Sequence, residues 1–310
     1  MSRADTLRRA SRSLDADGAE LDDGSVEFLG SILRSREWQI EERLLTAVAL
    51  AGAGDISGLL RRCLRSDDSD VRAQAIEAID SLGDRGLGRA LVRLLESDDA
   101  GPARPVAVVL HELVGDADPW VRALAVRALS RNLEREWRAV VDSAREDPEP
   151  LVRSMVATAE PAGGTPMPET RATLGEIDRM LFLRRVPLFS ELAPEDLQRI
   201  AATATERVYP ADEPIVREGD LGDELVVIVE GGVRVIRGSD ERPIRTYAAG
   251  DHFGELAVLR DRPRAATVIA DPPGVRGLVI DGAGLRAMLR ERPEAAMAML
   301  ATLAERISSQ

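Results

Sequence analysis

The first half of the sequence repeats a helical pattern of apolar positions. The segments DVRAQAIEAI, WVRALAVRAL and LVRSMVATA each contain a Val-Arg pair, and a weaker copy starts at Ile40. Small or apolar residues come four and seven positions after each anchor, which places them on one face of a helix. The anchors are 31, 50 and 31 residues apart, and they are Ile40, Val71, Val121 and Val152.

Further helices are predicted between these copies. The segments LGRALVRLLES, after Gly86, and REWRAVVDSA, after Glu134, have the same period, and acidic turns separate successive pairs. The 50-residue gap leaves room for one additional helix at about 103–114. The spacing therefore predicts stacked pairs of helices, and a generic alanine-rich helical bundle is the alternative.

The pattern changes after AEPAGGTPMPETRA, residues 159–172, in which three prolines and two glycines interrupt any helix. Thr173 and Glu176 are placed to form a capping box for a helix over IDRMLFLRR, and Pro194 opens another helix. Short β-branched runs at 225–229 and 233–236, separated by glycine-containing turns, predict a small antiparallel barrel or jelly roll. A helical period then returns and continues to residue 307.

These elements predict an α+β multidomain fold. Residues 1–35 form an N-terminal segment, partly helical or flexible, and residues 36–159 form an all-α domain of helical repeats. Residues 160–172 are a linker. Residues 173–310 form a domain in which an antiparallel β-barrel or jelly roll is flanked by helices.

Composition narrows the function classes. The 41 Lys and Arg residues against 54 Asp and Glu residues give a net charge of −13, which argues against a general nucleic-acid-binding surface. Cys63 is the only cysteine, so neither a disulfide within the chain nor a cysteine-based zinc site is expected.

No signal peptide or membrane-spanning run is found, which predicts a soluble, cytoplasmic chain. No residue set supports catalysis or a metal, so we expect neither an enzyme nor a metal cofactor.

One stretch is not explained by packing alone, namely FGELAVLRDRPRAATVIA, residues 253–270. The segment FGELAVL predicts a short helix approached through Gly254, and the free amides at a helix N-terminus favour an anion. Arg264 supplies a permanent charge and a forked set of donors that suits phosphate. The stretch therefore predicts a phosphate site.

The neighbouring residues refine this prediction. The small side chains of Ala265 and Ala266 allow backbone amides to come close to a ligand. The carboxylate of Glu255 would repel a phosphate and can only accept hydrogen bonds, so its natural partner is a hydroxyl such as a ribose 2′-OH. A phosphate beside a ribose hydroxyl indicates a nucleotide.

Residues 209–270 resemble the core of a cyclic nucleotide-binding domain, the module of bacterial catabolite activators, kinase regulatory subunits and gated channels. FGELA and PRAATVIA match the family's phosphate-binding cassette without a gap, VPLFSEL and REGDLGDELVVIVEGGVRV also match, and the likeness covers about residues 177–307. The resemblance implies that Glu255 binds the ribose hydroxyl and that Arg264 binds a phosphate oxygen. It also implies that the ligand-binding cradle is completed around Gly254, Leu256, Ala257, Ala265 and Ala266.

The same resemblance implies which nucleotide binds. In this family an alanine after the arginine accompanies cAMP, whereas a threonine there often accompanies cGMP. Ala265 therefore implies cAMP, with cGMP less favoured. A barrel that keeps the motif only for folding is the alternative.

The helical array resembles HEAT-type repeats, in particular the short kind also found in bilin-lyase-related proteins. Such arrays offer an extended surface for a protein partner. HEAT-like repeats followed by this nucleotide-binding module also resemble the cytosolic tail of some bacterial transporter-like membrane proteins. The resemblance thus implies a bacterial protein with a protein effector, and a transporter-like membrane domain is one candidate effector.

Two functions from different classes follow from these patterns. In the first, the protein is a cAMP sensor in which ligand binding moves residues 281–307 as a lid and signals to the helical array or an attached effector. In the second, the HEAT-like array is a scaffold that binds a protein partner constitutively, with little dependence on nucleotide.

An enzymatic function is suggested only by the bilin-lyase likeness and has the weakest support. No helix-turn-helix follows Ile307, so a DNA-binding activator is not expected.

Overall fold

The computed structural model of the protein describes residues 3–17, 24–48, 104–131, 137–157, 173–238, 240–260 and 262–308, with isolated positions between 63 and 77. The chain divides into two compact units, Met1–Gly163 and Gly164–Gln310. The finer limits predicted from the sequence, at 36–159, 160–172 and 173–310, stay predictions. The predicted helix over LGRALVRLLES lies outside the described residues. In the first strong repeat copy Val71 and Ala75 are described as helical, with Val71 half-buried and Ala75 buried, whereas Ala78 lies outside the described residues.

The described part of the N-terminal unit is built from helices. A 3-10 turn at Ala144–Glu146 follows the fifth of them. The helices are α1 (Arg3–Asp17), α2 (Ser25–Val48), α3 (Val106–Leu113), α4 (Pro119–Arg131), α5 (Arg138–Ser143) and α6 (Pro150–Ala157). Helices α2, α3 and α6 all contact α4, and α1 contacts α2 and α3.

The predicted helical faces are buried in the two repeat copies that the structure describes best. In α4 the face of Val121, Ala125 and Ala128 is fully buried, and in α6 Val152 and Val156 are buried as well. The predicted additional helix is confirmed as α3. The weak copy at Ile40 differs, because Ile40 lies inside the long helix α2 and is only half-buried.

The C-terminal unit follows the predicted order of helices, strands and helices. Its first helices are α7 (Glu176–Arg185), α8 (Pro187–Ser190) and α9 (Pro194–Thr203). The strands are β1 (Thr205–Pro210), β2 (Pro214–Val216), β3 (Glu224–Glu230), β4 (Gly232–Arg237), β5 (Asp240–Ala248), β6 (His252–Phe253), β7 (Thr267–Ala270) and β8 (Gly274–Asp281). Helix α10 (Glu255–Arg260) lies between β6 and β7, and α11 (Gly282–Glu291) and α12 (Pro293–Ser308) follow β8.

The strands form two four-stranded antiparallel sheets, with the orders β1-β8-β3-β6 and β2-β7-β4-β5. In the first sheet Leu225 pairs with Ile280, and in the second Val233 pairs with Tyr247. Alternate residues of both sheets point into one shared core. The core consists of Val226, Ile228, Val233, Val235, Phe253, Val268, Ala270, Val275 and Val279. The predicted jelly roll flanked by helices, and with it the α+β fold class, is confirmed.

The predicted capping box at the start of α7 is wrong. Glu176 is the first helical residue and Gly175 is the N-cap, with no side-chain hydrogen bond at that cap. Thr173 therefore lies two residues before the N-cap, too far out to bind the first amides of the helix. The backbone amide of Leu174 donates instead to Glu206 Oε2 on β1, at 2.9 Å. This contact ties the chain before α7 to the first sheet.

No described helix is both long and apolar enough to cross a membrane.

We expect Arg122→Met to lower the free energy of unfolding of the N-terminal unit by about 1.5–3 kcal/mol, the range for hydrogen bonds to charged groups. Arg122 donates to both carboxylate oxygens of Asp147, at 2.8 and 2.9 Å, and to the Asp116 carbonyl at 2.9 Å. Urea unfolding of the variant and of Arg145→Met would test this. The pair of Arg145 with Asp142 is exposed, so the control variant should lose less than about 0.5 kcal/mol.

The pH dependence of this contribution has a defined sign. The hydrogen bonds from Arg122 hold the pKa of Asp147 below its usual value, despite partial burial. The contribution is therefore fully present above the pKa of an unfolded Asp, about 3.9, and is lost as the pH falls through the lower folded value. Equal losses in Arg122→Met and Arg145→Met at neutral pH would contradict this account.

Candidate functional site

Arg264 is fixed in the C-terminal unit by its own backbone. Its amide donates to the carbonyl of Asp220 at 2.8 Å, and its carbonyl accepts from the amide of Gly219 at 2.9 Å. These two bonds join the segment before β7 to the loop between β2 and β3. The backbone from which the Arg264 side chain extends is thus held in place without a ligand.

The guanidinium of Arg264 is buried and oriented by carbonyl oxygens. The residue is only 7% exposed. Its Nη2 donates to the Glu224 carbonyl at 2.8 Å, and its Nη1 lies 3.4 Å from the Gly254 carbonyl. Both acceptors are neutral, so these bonds direct the side chain without cancelling its charge.

The charges around Arg264 act in two directions. Burial lowers the pKa of Arg264, while the negative charges of Glu224, Asp223 and Glu255 raise it. An arginine keeps its proton in proteins, so the practical result is a permanent cation in a poorly solvated place. Such a cation is stabilised by any anion that can reach it.

Two glycines leave room for the guanidinium. A Cβ on Gly254 would lie 2.5 Å from Arg264 Nη1 and 2.6 Å from the Glu224 carbonyl oxygen. A Cβ on Gly222 would lie 2.2 Å from Arg264 Nε. Gly254 also has a φ of +93°, a conformation that other residues adopt at a cost. The close approach of the arginine therefore requires glycine at both positions.

The other predicted site residues surround this arginine in the chain. The predicted short helix is α10, which starts at Glu255 directly after Gly254. Glu255 is half-buried, Leu256 is 48% exposed and Ala257 is buried. After Arg264, Ala265 is exposed and Ala266 packs against the barrel core.

The structure brings Gly254 and Arg264 into direct contact. The remaining predicted residues lie within three positions of one of these two in the sequence. Helix α10 has only six residues, so its dipole is small and Arg264 is the main source of positive charge. The ligand contacts predicted for Glu255 and for the backbone around it stay predictions.

Sequence reasoning missed four residues of this region. The matching segment REGDLGDELVVIVEGGVRV includes Gly222, Asp223 and Glu224, but the sequence predicts no role for any of them. Glu224 contacts Arg264 through its backbone carbonyl, and a backbone group cannot be recognised from the residue type. The carboxylate of Glu224 accepts hydrogen bonds from Arg207 at 2.7 and 2.9 Å. Arg286 was seen only as a residue of the last helices.

Arg286 connects α11 with the site. Its Nη2 donates to Asp223 Oδ2 at 3.0 Å, and its Nη1 donates to Asp223 Oδ1. Nη1 also donates to the Val258 carbonyl on α10 at 2.9 Å. The hydrogen bond from Arg286 holds the pKa of Asp223 below its usual value. The amide of Gly282, the first residue of α11, also donates to the Asp223 carbonyl at 2.8 Å. Helix α11 is thereby tied to the loop that carries Gly222.

The remaining candidates have structural surroundings. His252 is buried on β6, and the ring of His111 lies 5.7 Å from that of Trp137. Arg260 and Arg262 are exposed, as predicted for a solvent loop. Within the part of the chain that the structure describes, no group of three or more His, Cys, Asp or Glu side chains could hold a metal ion.

Two family models match the sequence. Residues 206–292 match the cyclic nucleotide-binding domain, and residues 26–110 match HEAT repeats. The first match contains the whole Arg264 site. The second begins before the predicted start of the repeats at residue 36, and the copies at Val121 and Val152 lie beyond its end.

Curated relatives match this chain over about 90 to 105 residues. The chain is 42% identical over 89 residues to the cAMP-dependent protein kinase regulatory subunit of Aspergillus niger, which is 29% of this chain and 22% of that protein. It is 39% identical over 105 residues to the cGMP-dependent protein kinase, isozyme 1, of Drosophila melanogaster, which is 32% of this chain and 14% of that protein. The chain thus spans less than a quarter of either relative. Several curated relatives are fungal, so they do not support the expected bacterial source.

Solved structures are also similar to this chain over part of its length. The N-terminal domain of a transcriptional regulator from Streptomyces coelicolor A3(2) is 32% identical, with a TM-score of 0.36, over 41% of this chain and 90% of that chain. The catabolite activator protein of Thermus thermophilus is also 32% identical, with a TM-score of 0.36, over 40% of this chain and 59% of that one. TM-scores this low carry no argument about the fold.

We expect Gly254→Ala to lower the free energy of unfolding of the C-terminal unit by about 2–4 kcal/mol, because it adds a steric clash to a positive φ. Gly238→Ala is the matched control, since Gly238 has a φ of +65° and nothing within 4 Å of an added Cβ. The control should lose only about 1–2 kcal/mol. Thermal unfolding monitored by circular dichroism measures both variants, and equal losses would show that the contact with Arg264 does not matter.

Proposed function

We propose that this chain, which carries HEAT repeats and a C-terminal cyclic nucleotide-binding domain, is a regulatory protein that binds cAMP in its C-terminal unit. The observation that carries this proposal is the buried guanidinium of Arg264, oriented by two carbonyls and approached closely by two glycines. It lies within the segment that matches the nucleotide-binding family, residues 206–292.

The phosphate is the natural partner of Arg264. The two hydrogen bonds of its guanidinium described above use neutral acceptors, so an anion would provide the charge compensation that those carbonyls do not. A guanidinium has five N–H donors, which leaves donors for phosphate oxygens after both carbonyls are bound. The nearby amides of Gly254, Leu256, Ala257 and Ala265 complete the cradle, and the small Ala266 leaves space beside it.

Glu255 is assigned to the ribose. It follows Gly254 directly, so its carboxylate starts from the same turn that contacts Arg264. An ionised carboxylate accepts hydrogen bonds and repels phosphate, so a ribose 2′-hydroxyl is its best partner on a nucleotide. A cyclic phosphate on Arg264 and a ribose hydroxyl on Glu255 together define the orientation of the ligand.

We assign cAMP rather than cGMP to the site. Ala265 follows the arginine and offers no side-chain hydroxyl to a guanine base. The Aspergillus niger relative is named as a cAMP-dependent kinase subunit, whereas the less similar Drosophila relative is named as a cGMP-dependent kinase. The residue after the arginine and the relatives' names therefore favour the same nucleotide.

The response to the ligand is assigned to α11 and α12. Arg286 on α11 bonds both to the loop before β3 and to the end of α10, so a movement of α10 reaches α11 directly. We propose that these two helices, residues 281–307, act as the lid and that the HEAT repeats receive the signal or bind its protein effector. A cytoplasmic location, a transporter-like effector and the absence of catalysis belong to the same proposal. A scaffold that ignores nucleotide is the alternative function.

We expect Arg264→Glu to abolish cAMP binding, because it places a negative charge where the phosphate binds. Isothermal titration calorimetry on the full chain would show a measurable affinity for the wild type and no heat for the variant. Arg262→Glu is the matched control, since it makes the same charge change on an exposed side chain two positions away. Arg264→Gln serves as a second variant if the glutamate prevents folding, and thermal unfolding verifies each fold.

A wild-type chain that shows neither heat nor thermal stabilisation at high cAMP excess would overturn the proposal and leave the constitutive scaffold. Binding that survives in Arg264→Glu would instead overturn only the assignment of Arg264.

We expect Glu255→Gln to weaken cAMP binding by roughly ten- to a hundredfold, the cost of losing a hydrogen bond to a charged acceptor. The hydroxyl can be tested separately with 2′-deoxy-cAMP, which should bind the wild type more weakly by a similar factor. In the variant, cAMP and its deoxy analogue should differ by less than about threefold, because the partner of the hydroxyl is gone. An unchanged discrimination in the variant would place the ribose contact elsewhere.

A further inference from the structure

The corner between α11 and α12 contacts α9 through two ion pairs. Helix α11 ends at Glu291 and α12 begins at Pro293, so Arg292 is the single residue between them. Arg292 Nη2 lies 3.5 Å from Asp196 Oδ2, and Glu291 accepts a hydrogen bond of 2.8 Å from Arg199 Nη2. Helix α9 supplies the negative charge of one pair and the positive charge of the other, so both corner residues contact a charge on α9.

These two pairs differ in burial. The side chains of Arg199 and Glu291 are 51% and 62% exposed, and pairs of that kind contribute little. Asp196 is only 1% exposed, and its Oδ1 has no hydrogen-bond partner among the described residues. A buried carboxylate with one unbonded oxygen is costly unless a countercharge lies close. Arg292 supplies that countercharge from the corner.

The charged groups around Asp196 can be named. Burial raises the pKa of Asp196, and the negative charges of Glu195 and Glu294 raise it further. The positive charges of Arg292 and Arg199 lower it. Among these groups only Arg292 forms an ion pair with the carboxylate in the described structure, so it couples the ionisation of Asp196 to the position of the corner.

The backbone at the corner suits a hinge. Arg292 has a φ of −127° and a ψ of 80°, outside the helical range, and its amide still donates to Met288 of α11. Pro293 has no N–H group, so α12 cannot continue the hydrogen-bond ladder of α11 across this point. The direction of the chain therefore changes at one residue, and that residue carries the charge that contacts Asp196.

We propose that Asp196 is a charge latch: its buried, ionised carboxylate holds Arg292 against α9 and restrains the corner between α11 and α12. Helix α9 is itself held by contacts with α7 and β8. The restrained helix α11 is the one whose Arg286 bonds to Asp223 and to the α10 carbonyl. This inference goes beyond the nucleotide response, because the latch is present and testable without any ligand.

The latch is tested by hydrogen exchange with mass spectrometry on the full chain, without nucleotide. Asp196→Asn removes the charge and keeps the shape, and Arg292→Met removes the partner. At about pH 7.5 each single variant should raise exchange in residues 285–300 by roughly threefold to tenfold, in the range of couplings between contacting charges. The double variant should exchange no faster than the faster single variant, because both changes break one interaction. Glu291→Gln, which breaks only the exposed pair, should leave exchange unchanged.

Titration provides a second, independent readout. Contact with Arg292 lowers the pKa of Asp196 relative to its value after the corner moves away, so ionisation favours the held corner. That preference is lost as the pH falls through the folded pKa, which burial places above the usual Asp value of about 3.9. The exchange ratio of Asp196→Asn to wild type, compared at equal pH, should fall toward one as the pH is lowered from about 7.5 toward the usual Asp value.

Three results would overturn the latch. They are unchanged exchange in Asp196→Asn, additive effects in the double variant, and a ratio that does not depend on pH. Circular dichroism and thermal unfolding verify that each variant is folded. If Arg292→Met does not fold, the Asp196→Asn comparison and its pH dependence decide the question. Because no nucleotide is present, these results do not depend on whether the chain binds cAMP.

Discussion

The burial of the positive charge of Arg264 is the constraint on which the candidate site depends. A guanidinium that is 7% exposed needs acceptors, and the structure provides the carbonyls of Glu224 and Gly254. These carbonyls can come close only because Gly254 and Gly222 have no side chain. The turn before α10 and the loop before β3 are therefore shaped by one cation.

The sequence predicted the part of the site that lies in one short segment. Gly254 and Arg264 are ten residues apart and belong to one continuous motif, so their spacing could be read directly. Glu224 lies 40 residues before Arg264, and Arg286 lies 63 residues after Asp223. Only the placement of β3 between β6 and β8 brings these residues together. A backbone carbonyl as acceptor adds a further difficulty, because any residue type can supply it.

The fold was predictable wherever apolar residues recur with the period of a helix or form a short β-branched run. The helical face of Val121 and Ala125 and the run at 225–229 are of this kind. The prediction was weaker for α2, which packs against α1 on one side and α4 on another, so its apolar residues do not form a single stripe. It failed at the start of α7, because a capping box depends on which residue is the N-cap, and Gly175 rather than Thr173 has that position.

Helix α11 makes charged contacts near its middle and at its C-terminal end, and this arrangement has a mechanical consequence. Arg286 faces Asp223 and the end of α10, while Glu291 and Arg292 face α9. A helix of ten residues is about 15 Å long and stiff. Because such a helix moves as one body, a change in the charge contacts of Arg286 alters the geometry at Glu291 and Arg292. The fold thus connects the loop before β3 to the corner before α12 through ion pairs and one rigid element.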